Sequence, residues 1–152
     1  MTRIPTPIPA VLMLAAILCC PLTAPAHCQL PCGIYGDNSR FSALFEHIRT
    51  IEKAMREINA LTGKQDAQSI QQVARWTANK ESHANDIQHI AQAYFLAQRI
   101  KLPKDGSEGS YTGKLKLVHQ IIVHAMKCKQ TVDTANAANL EKAVRSFQQA
   151  YQ

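Results

Sequence analysis

The chain has 152 residues, of which 46% are hydrophobic, 6% aromatic and 18% charged, and its formal net charge is +6. This length predicts one domain, because domains commonly contain roughly 100–200 residues. The hydrophobic content excludes a disordered chain, and the single long apolar stretch excludes a protein with several membrane spans.

The first 26 residues have the layout of a secretory signal peptide. Arg3 is their only charged side chain, residues 10–20 are entirely apolar, and residues 24–26 read Ala-Pro-Ala. A basic start, a short apolar core and small residues before the cut are what signal peptidase recognises, whereas an uncleaved anchor needs about 20 apolar residues. We therefore predict cleavage after Ala26, export to the periplasm or the exterior, and no membrane span in the mature chain.

Cleavage would change the composition of the chain. Removing 26 of the 152 residues leaves 126, and the loss of one arginine lowers the formal charge from +6 to +5. Cys28, Cys32 and Cys128 remain, an odd number that cannot all pair within one chain. Only Pro31 and Pro103 remain of the prolines, which favours long helices.

The first predicted helix is capped by Asn38 or Ser39 and ends before Gly63, which tolerates positive φ. Its apolar residues recur at spacings of three and four, as on one face of a helix. They are Phe41, Leu44, Phe45, Ile48, Ile51, Met55 and Ile58.

The second predicted helix begins near Asp66 and is expected to bend where Lys80 and His83 interrupt its apolar stripe. We assign Trp76 to the core because it falls at stripe spacing. The glycines and the proline of residues 101–113 predict a loop after this helix. The stripe consists of Ile70, Val73, Trp76, Ile87, Ala91 and Tyr94.

Two further helices complete the prediction. In the third, Cys128 falls at helical spacing from Ile121 and Ala125, which predicts a buried thiol. The fourth is capped by Thr134. No segment alternates as a strand would, so we predict an all-α, up-and-down four-helix bundle over residues 39–152. The apolar residues of these helices are Leu117, Val118, Ile121, Ile122, Ala125 and Met126, then Leu140, Val144, Phe147 and Tyr151.

The N-terminus that cleavage would create carries a set of metal ligands. The α-amine and imidazole of His27 and the thiols of Cys28 and Cys32 fall within six residues. The amine and the amide nitrogen of Cys28 can form one chelate ring, and the Cys28 thiolate closes a second. Two nitrogens and two sulfurs in a plane suit Ni(II) or Cu(II), whereas zinc prefers a tetrahedron. The imidazole is left free to approach along the axis.

Other interpretations of this segment stay open on the residues alone. Cys28 and Cys32 could form a disulfide in an exported protein, or could bind zinc together with another histidine. A flexible tail is the weakest alternative, because Pro31 and Gly33 bracket one thiol and restrict the conformation of the segment. The position of His27 directly after the predicted cut favours the metal site.

The motif His27-Cys28-x-x-Pro31-Cys32-Gly33-x-Tyr35 resembles the nickel hook of nickel-containing superoxide dismutases. Residues 79–84 and 125–130 also resemble the branch of that family whose hook reads His-Cys-Gln. The resemblance covers essentially all of the mature chain. It implies a nickel hook over residues 27–38 followed by the family's helical bundle, and a homohexameric assembly.

By this resemblance, nickel is bound by the amine and imidazole of His27, the amide and sulfur of Cys28, and the sulfur of Cys32. Pro31 would provide the cis bond that closes the hook. Tyr35 would lie over the open face and help to place superoxide or water. Superoxide would then be converted to dioxygen and hydrogen peroxide, because thiolate and amidate donors, with the axial imidazole, make Ni(III) accessible.

The sequence departs from the family pattern around the hook. Gln29 stands where many members have Asp, and Gly36-Asp37 replaces an Asp-Pro pair. The Glu and Arg that steady the axial imidazole in the family have no clear equivalents, and Glu46 and His83 are the nearest candidates.

The alternative function is a secreted, non-enzymatic helical metal-binding or stress protein, in which the two hook cysteines hold copper or are oxidised together.

The positive charge of the chain agrees with an anionic substrate. Nickel(II) with two thiolates and one amidate carries a formal charge of −1, and a basic protein can offset the repulsion of superoxide. A basic surface also keeps a protein soluble, so charge alone does not decide between these roles.

Lys and Arg are spread over the helices, which argues against nucleic-acid binding. We expect His89, His119 and His124 to have surface or partly buried positions rather than to bind metal.

Overall fold

A computed structural model of the chain describes residues 36–104 and 107–152. The predicted signal peptide and the hook residues that precede Gly36 lie outside the described residues. The boundaries after residues 26 and 38 therefore stay predictions. The structure describes the bundle and the two residues before Asn38.

The described part of the chain is helical and contains no strand. Helices α1 and α2 span Asp37–Ala60 and Ala67–His89, and a π-helical segment, Ile90–Arg99, continues α2 without a break. Helices α3 and α4 span Glu108–Gln130 and Ala135–Tyr151. The predicted all-α fold with four helices is confirmed.

The four helices close around a single core. Each helix packs against the next in the chain, and α4 returns to contact α1. The connections between α1 and α2 and between α3 and α4 are residues 61–66 and 131–134, short enough to join antiparallel neighbours of an up-and-down bundle. Within residues 36–104 and 107–152, no helix combines the length and the apolar character needed to cross a bilayer.

Helix α1 buries the face that its sequence predicts, but it begins earlier than predicted. Phe41 and Ile51 are among its fully buried residues, while Phe45 and Ile58 are half-buried. Gly36, with a φ of 78°, occupies the N-cap position, so the prediction that Asn38 or Ser39 caps the helix is wrong. Glycine adopts this positive φ without steric cost, and the chain enters the helix directly after it. No side chain caps the first turn of α1. Gly63 has a φ of 83°, as expected just after the end of α1.

Helix α2 begins at the predicted place and is α-helical through the polar residues at which a bend was expected. Asp66 is its N-cap, and the Asp66 carboxylate accepts a hydrogen bond from the N–H of Ser69 at 2.9 Å. The α-helix continues through Lys80 and His83, and its hydrogen-bonding pattern changes only at Ile90.

Trp76 was expected in the core and is instead half-buried, with the ammonium of Lys53 at 5.7 Å from its ring centroid. Ile70, from the same predicted stripe, is 58% exposed. The reason is that α2 enters the apolar core only in its second half, through Ala84 and Ile87. Periodicity identified the helix, but it could not show how much of the stripe the other helices cover.

One other predicted boundary is corrected, and the position of another is confirmed. Helix α3 begins at Glu108, so Gly109 and Gly113 are helical rather than part of a loop. A glycine costs a helix about 1 kcal/mol relative to alanine, which a well-packed helix tolerates. Thr134 occupies the N-cap position of α4 without a side-chain cap, because the carboxylate of Asp133 accepts from the N–H of Ala135 at 2.9 Å.

Cys128 is fully buried and has a free thiol, as predicted. Burial raises the pKa of this thiol to about 11, against a weaker opposing effect of the Lys80 charge. The protonated thiol is therefore the stable form at neutral pH, and it is a poor metal ligand.

Lys80 is buried at the carboxyl end of α3, which explains why a charged residue interrupts an apolar stripe. Its ammonium donates to the carbonyls of Cys128 and Lys129, at 2.6 Å each, and of Thr131, at 3.2 Å. The last carbonyls of a helix have no partners within the helix and carry partial negative charge. The three N–H donors of one lysine therefore match three available acceptors.

We predict that Lys80→Met lowers the free energy of unfolding by about 2–3 kcal/mol, because it leaves these buried carbonyls without a donor. Chemical denaturation followed by circular dichroism measures the change. Lys116→Met, at an exposed position on α3, is the matched control and should alter stability by no more than about 0.5 kcal/mol. Equal effects of the two substitutions would contradict the role assigned to Lys80.

Candidate metal centre and the support of the hook

The residues assigned to the hook lie outside the described part of the chain, which begins at Gly36. The structure therefore describes the start of the bundle, immediately after the predicted hook residues. The assigned residues are His27, Cys28, Pro31, Cys32, Gly33 and Tyr35.

The first residue of α1, Asp37, is held by a polar network from two other parts of the bundle. The Tyr94 hydroxyl and the Nε of Arg99, both from the π segment, donate to its Oδ1, the latter at 2.8 Å. The Tyr151 hydroxyl, at the end of α4, donates to its Oδ2 at 2.8 Å. The chain therefore enters α1 at a point that three side chains hold in place.

The network keeps Asp37 ionised. Burial alone would raise the pKa of the carboxyl, but hydrogen bonds from Tyr94, Tyr151 and Arg99 outweigh burial and lower it. Burial and the neighbouring carboxylate raise the pKa of both tyrosines. Both hydroxyls consequently keep the protons that they donate to Asp37.

An aromatic cluster lies directly beneath this network. The ring centroid of Phe95 lies 4.8 Å from that of Phe41, 5.0 Å from that of Phe147 and 5.5 Å from that of Tyr151. Aromatic pairs at these separations stabilise packing beyond the area they bury. Because the cluster joins α1, the π segment and α4, this end of the bundle is a packed platform for the junction with the hook.

The π segment brings two neighbouring residues into the interior. The N–H of Ile100 donates to the carbonyl of Phe95 at 2.9 Å, the i→i−5 pattern of a π-helix. Tyr94 and Phe95 are both fully buried, and Tyr94 reaches Asp37 while Phe95 joins the aromatic cluster. The apolar spacing predicts an α-helical stripe that includes Tyr94, and it does not predict the π segment. The signal was an almost continuous apolar run, residues 90–96, too wide for one face of an α-helix.

Of the two candidates for steadying the axial imidazole, His83 contacts a histidine of the bundle. Its Nδ1 lies 2.7 Å from the Nδ1 of His47 on α1, whereas Glu46 is exposed. His89 and His119 are exposed. His124 is half-buried, and burial followed by the nearby Lys127 charge lowers its pKa.

We predict that Asp37→Asn lowers the free energy of unfolding by about 1–2 kcal/mol near neutral pH, because charge-assisted hydrogen bonds are lost. Since the pKa of Asp37 is lowered in the folded chain, its contribution is complete above about pH 4 and is lost as the pH falls further. The difference in denaturation midpoint between the variant and the original chain should therefore shrink below pH 4.

Glu52→Gln is the matched control for that experiment. Glu52 forms an exposed ion pair with Arg56 one helical turn away, and such pairs contribute only about 0.2–0.5 kcal/mol. A loss for Asp37→Asn no greater than that for Glu52→Gln would show that the network does not hold the start of α1.

Comparison with known proteins identifies the chain's family. The sequence matches the family model described as nickel-containing superoxide dismutase over residues 22–152, which include the entire hook motif and all of the bundle. No curated protein and no solved structure gives a significant match. Because the family match spans most of the chain, this protein belongs to the nickel-containing superoxide dismutases.

Proposed function

We propose that this enzyme dismutates superoxide at a nickel hook formed by His27, Cys28 and Cys32 once the first 26 residues have been removed. Superoxide dismutation and the nickel cofactor follow from the family. The observation that carries the residue assignment is that the match includes the His-Cys-x-x-Pro-Cys-Gly-x-Tyr motif as well as the helices.

The donors available in this motif fit nickel. The α-amine of His27 titrates near neutrality, so a metal can displace its proton at little cost. Together with the Cys28 amide and two thiolates it provides the strongly donating nitrogen and sulfur set that favours a square-planar metal. Bound there, nickel supplies a one-electron couple between Ni(II) and Ni(III).

Residues of the chain position the substrate and protect the site. Tyr35 is proposed to limit access and to place superoxide or water through its hydroxyl, and Pro31 and Gly33 to set the shape of the hook. Asp37, two residues after Tyr35 in the sequence, is held by Arg99 and Tyr151. The proposed hook is therefore followed directly in the chain by a residue that is fixed to the bundle.

Maturation follows from the requirement for a free amine. We propose that signal peptidase cuts after Ala26 and that the enzyme acts in the periplasm or outside the cell. In the uncut chain the His27 nitrogen is an amide, which removes the first chelate ring. Export and activation would therefore be the same event.

Assembly into a homohexamer is proposed from the family. Five large apolar side chains among the described residues are exposed and available for contacts with other subunits. They are Ile70, Leu96, Leu102, Val123 and Met126.

The processed chain should contain about one nickel ion and be active, whereas the chain that retains Ala26 should show only background dismutation. His27→Ala in the processed chain should abolish or greatly reduce activity. Superoxide consumption, metal content and N-terminal mass are measured on all three, with circular dichroism to show equal helix content. Full activity with Ala26 attached would overturn the proposed chelate.

Thiol counting distinguishes the hook from a disulfide. In the metal-free processed chain we expect two thiols to react rapidly with a chromogenic disulfide reagent, since Cys28 and Cys32 would be reduced. Cys128 should react only after unfolding, because its thiol is buried with a pKa of about 11. If active protein shows no reactive thiol before unfolding and only one afterwards, Cys28 and Cys32 form a disulfide and the hook is excluded.

A further inference from the structure

Helices α1 and α2 bring together three potential metal ligands that the proposed hook does not use. His47 lies on α1, and His83 and Asp86 lie one turn apart on α2. Each residue offers one ligand atom, and the three atoms lie within 4.8 Å of one another. They form the one such group of histidine, cysteine and carboxylate ligands in residues 36–104 and 107–152.

The two imidazoles face each other with the same nitrogen. The Nδ1 atoms of His47 and His83 are 2.7 Å apart and the ring centroids are 4.9 Å apart. At this distance the two Nδ1 atoms cannot both carry a proton. At least one of them therefore presents a lone pair. Burial, followed by the charge of His83, lowers the pKa of His47, whereas Asp86 and Glu46 act in the opposite direction. Neutral imidazole is the form that binds metal.

We propose that His47, His83 and Asp86 form a second metal site, which binds one divalent cation of the zinc and nickel class between α1 and α2. Two imidazoles and one carboxylate are a donor set for such ions, with the remaining positions open to water. Ligand bonds of about 2.0–2.2 Å require only a small opening of the nitrogen pair. The carboxylate of Asp86 is exposed and free to turn towards the ion.

The site is separate from the hook in its ligands and along the chain. His47 follows Asp37 by ten residues, which corresponds to about 15 Å along the axis of α1. A cation bound there would join α1 to α2, so it should stabilise the bundle whether or not the hook is loaded. Neither the hook ligands nor superoxide enter into this proposal.

The test uses the processed chain with Cys28→Ser and Cys32→Ser, which removes the thiolates of the hook. We expect it to bind one equivalent of Zn²⁺ by calorimetry and to melt at a higher temperature with Zn²⁺ present. Co²⁺ as a spectroscopic substitute should give ligand-field bands without thiolate charge transfer. The absence of binding would overturn the proposal and leave a hydrogen-bonded histidine pair.

Variants in this background decide which residues bind the ion. His83→Gln and Asp86→Asn should each weaken Zn²⁺ binding at least about tenfold, because the loss of a residue that only supports a ligand already has an effect of that size. Asp86 is exposed and the change to asparagine is conservative, so this variant should fold. His119→Ala, at an exposed position on α3, is the control and should bind Zn²⁺ like the parent. Unchanged affinity in both ligand variants, or an equal loss in His119→Ala, would overturn the assignment. None of these experiments measures dismutation. They therefore test the second metal site independently of the proposed hook.

Discussion

The carboxylate of Asp37 ties the start of the bundle to two of its other elements. It is the first residue of α1, and it accepts hydrogen bonds from the π segment and from the last residue of α4. A charge in such a position is stabilised only if donors compensate its desolvation, and here two hydroxyls and a guanidinium do so. Everything N-terminal to this point is attached to a fixed end of the fold.

The bundle and the proposed hook have different chemical requirements. A short segment can wrap a metal closely, but it cannot form a hydrophobic core. The bundle has an extensive core, including Phe41, Phe95 and Phe147, and keeps its one described cysteine protonated in the interior. The thiol of Cys128 therefore does not compete for the metal that the hook is proposed to bind.

Sequence periodicity predicted those features that depend on neighbouring residues in the chain. The buried face of α1 and the start of α2 near Asp66 are of this kind, since spacing and local side-chain chemistry determine them. Features that depend on how helices meet were not predictable. Lys80 is buried because α3 ends beside it, and His47 meets His83 only through the register of α1 against α2. The hook was recognisable because its ligands lie within six residues, although its geometry does not follow from spacing.

The number of residues per turn in the π segment determines which of its side chains face α1. A π-helix holds more residues per turn than an α-helix, so its geometry is the result of a residue count as well as of side-chain chemistry. Because of this difference, a π-helix and an α-helix formed by the same ten residues would present different side chains to α1. Tyr94 and Arg99 are five residues apart, a spacing that lies closer to one helix face in the π pattern than in the α pattern, and both reach Asp37. A change in the number of residues per turn at this point therefore changes which side chains reach the start of α1.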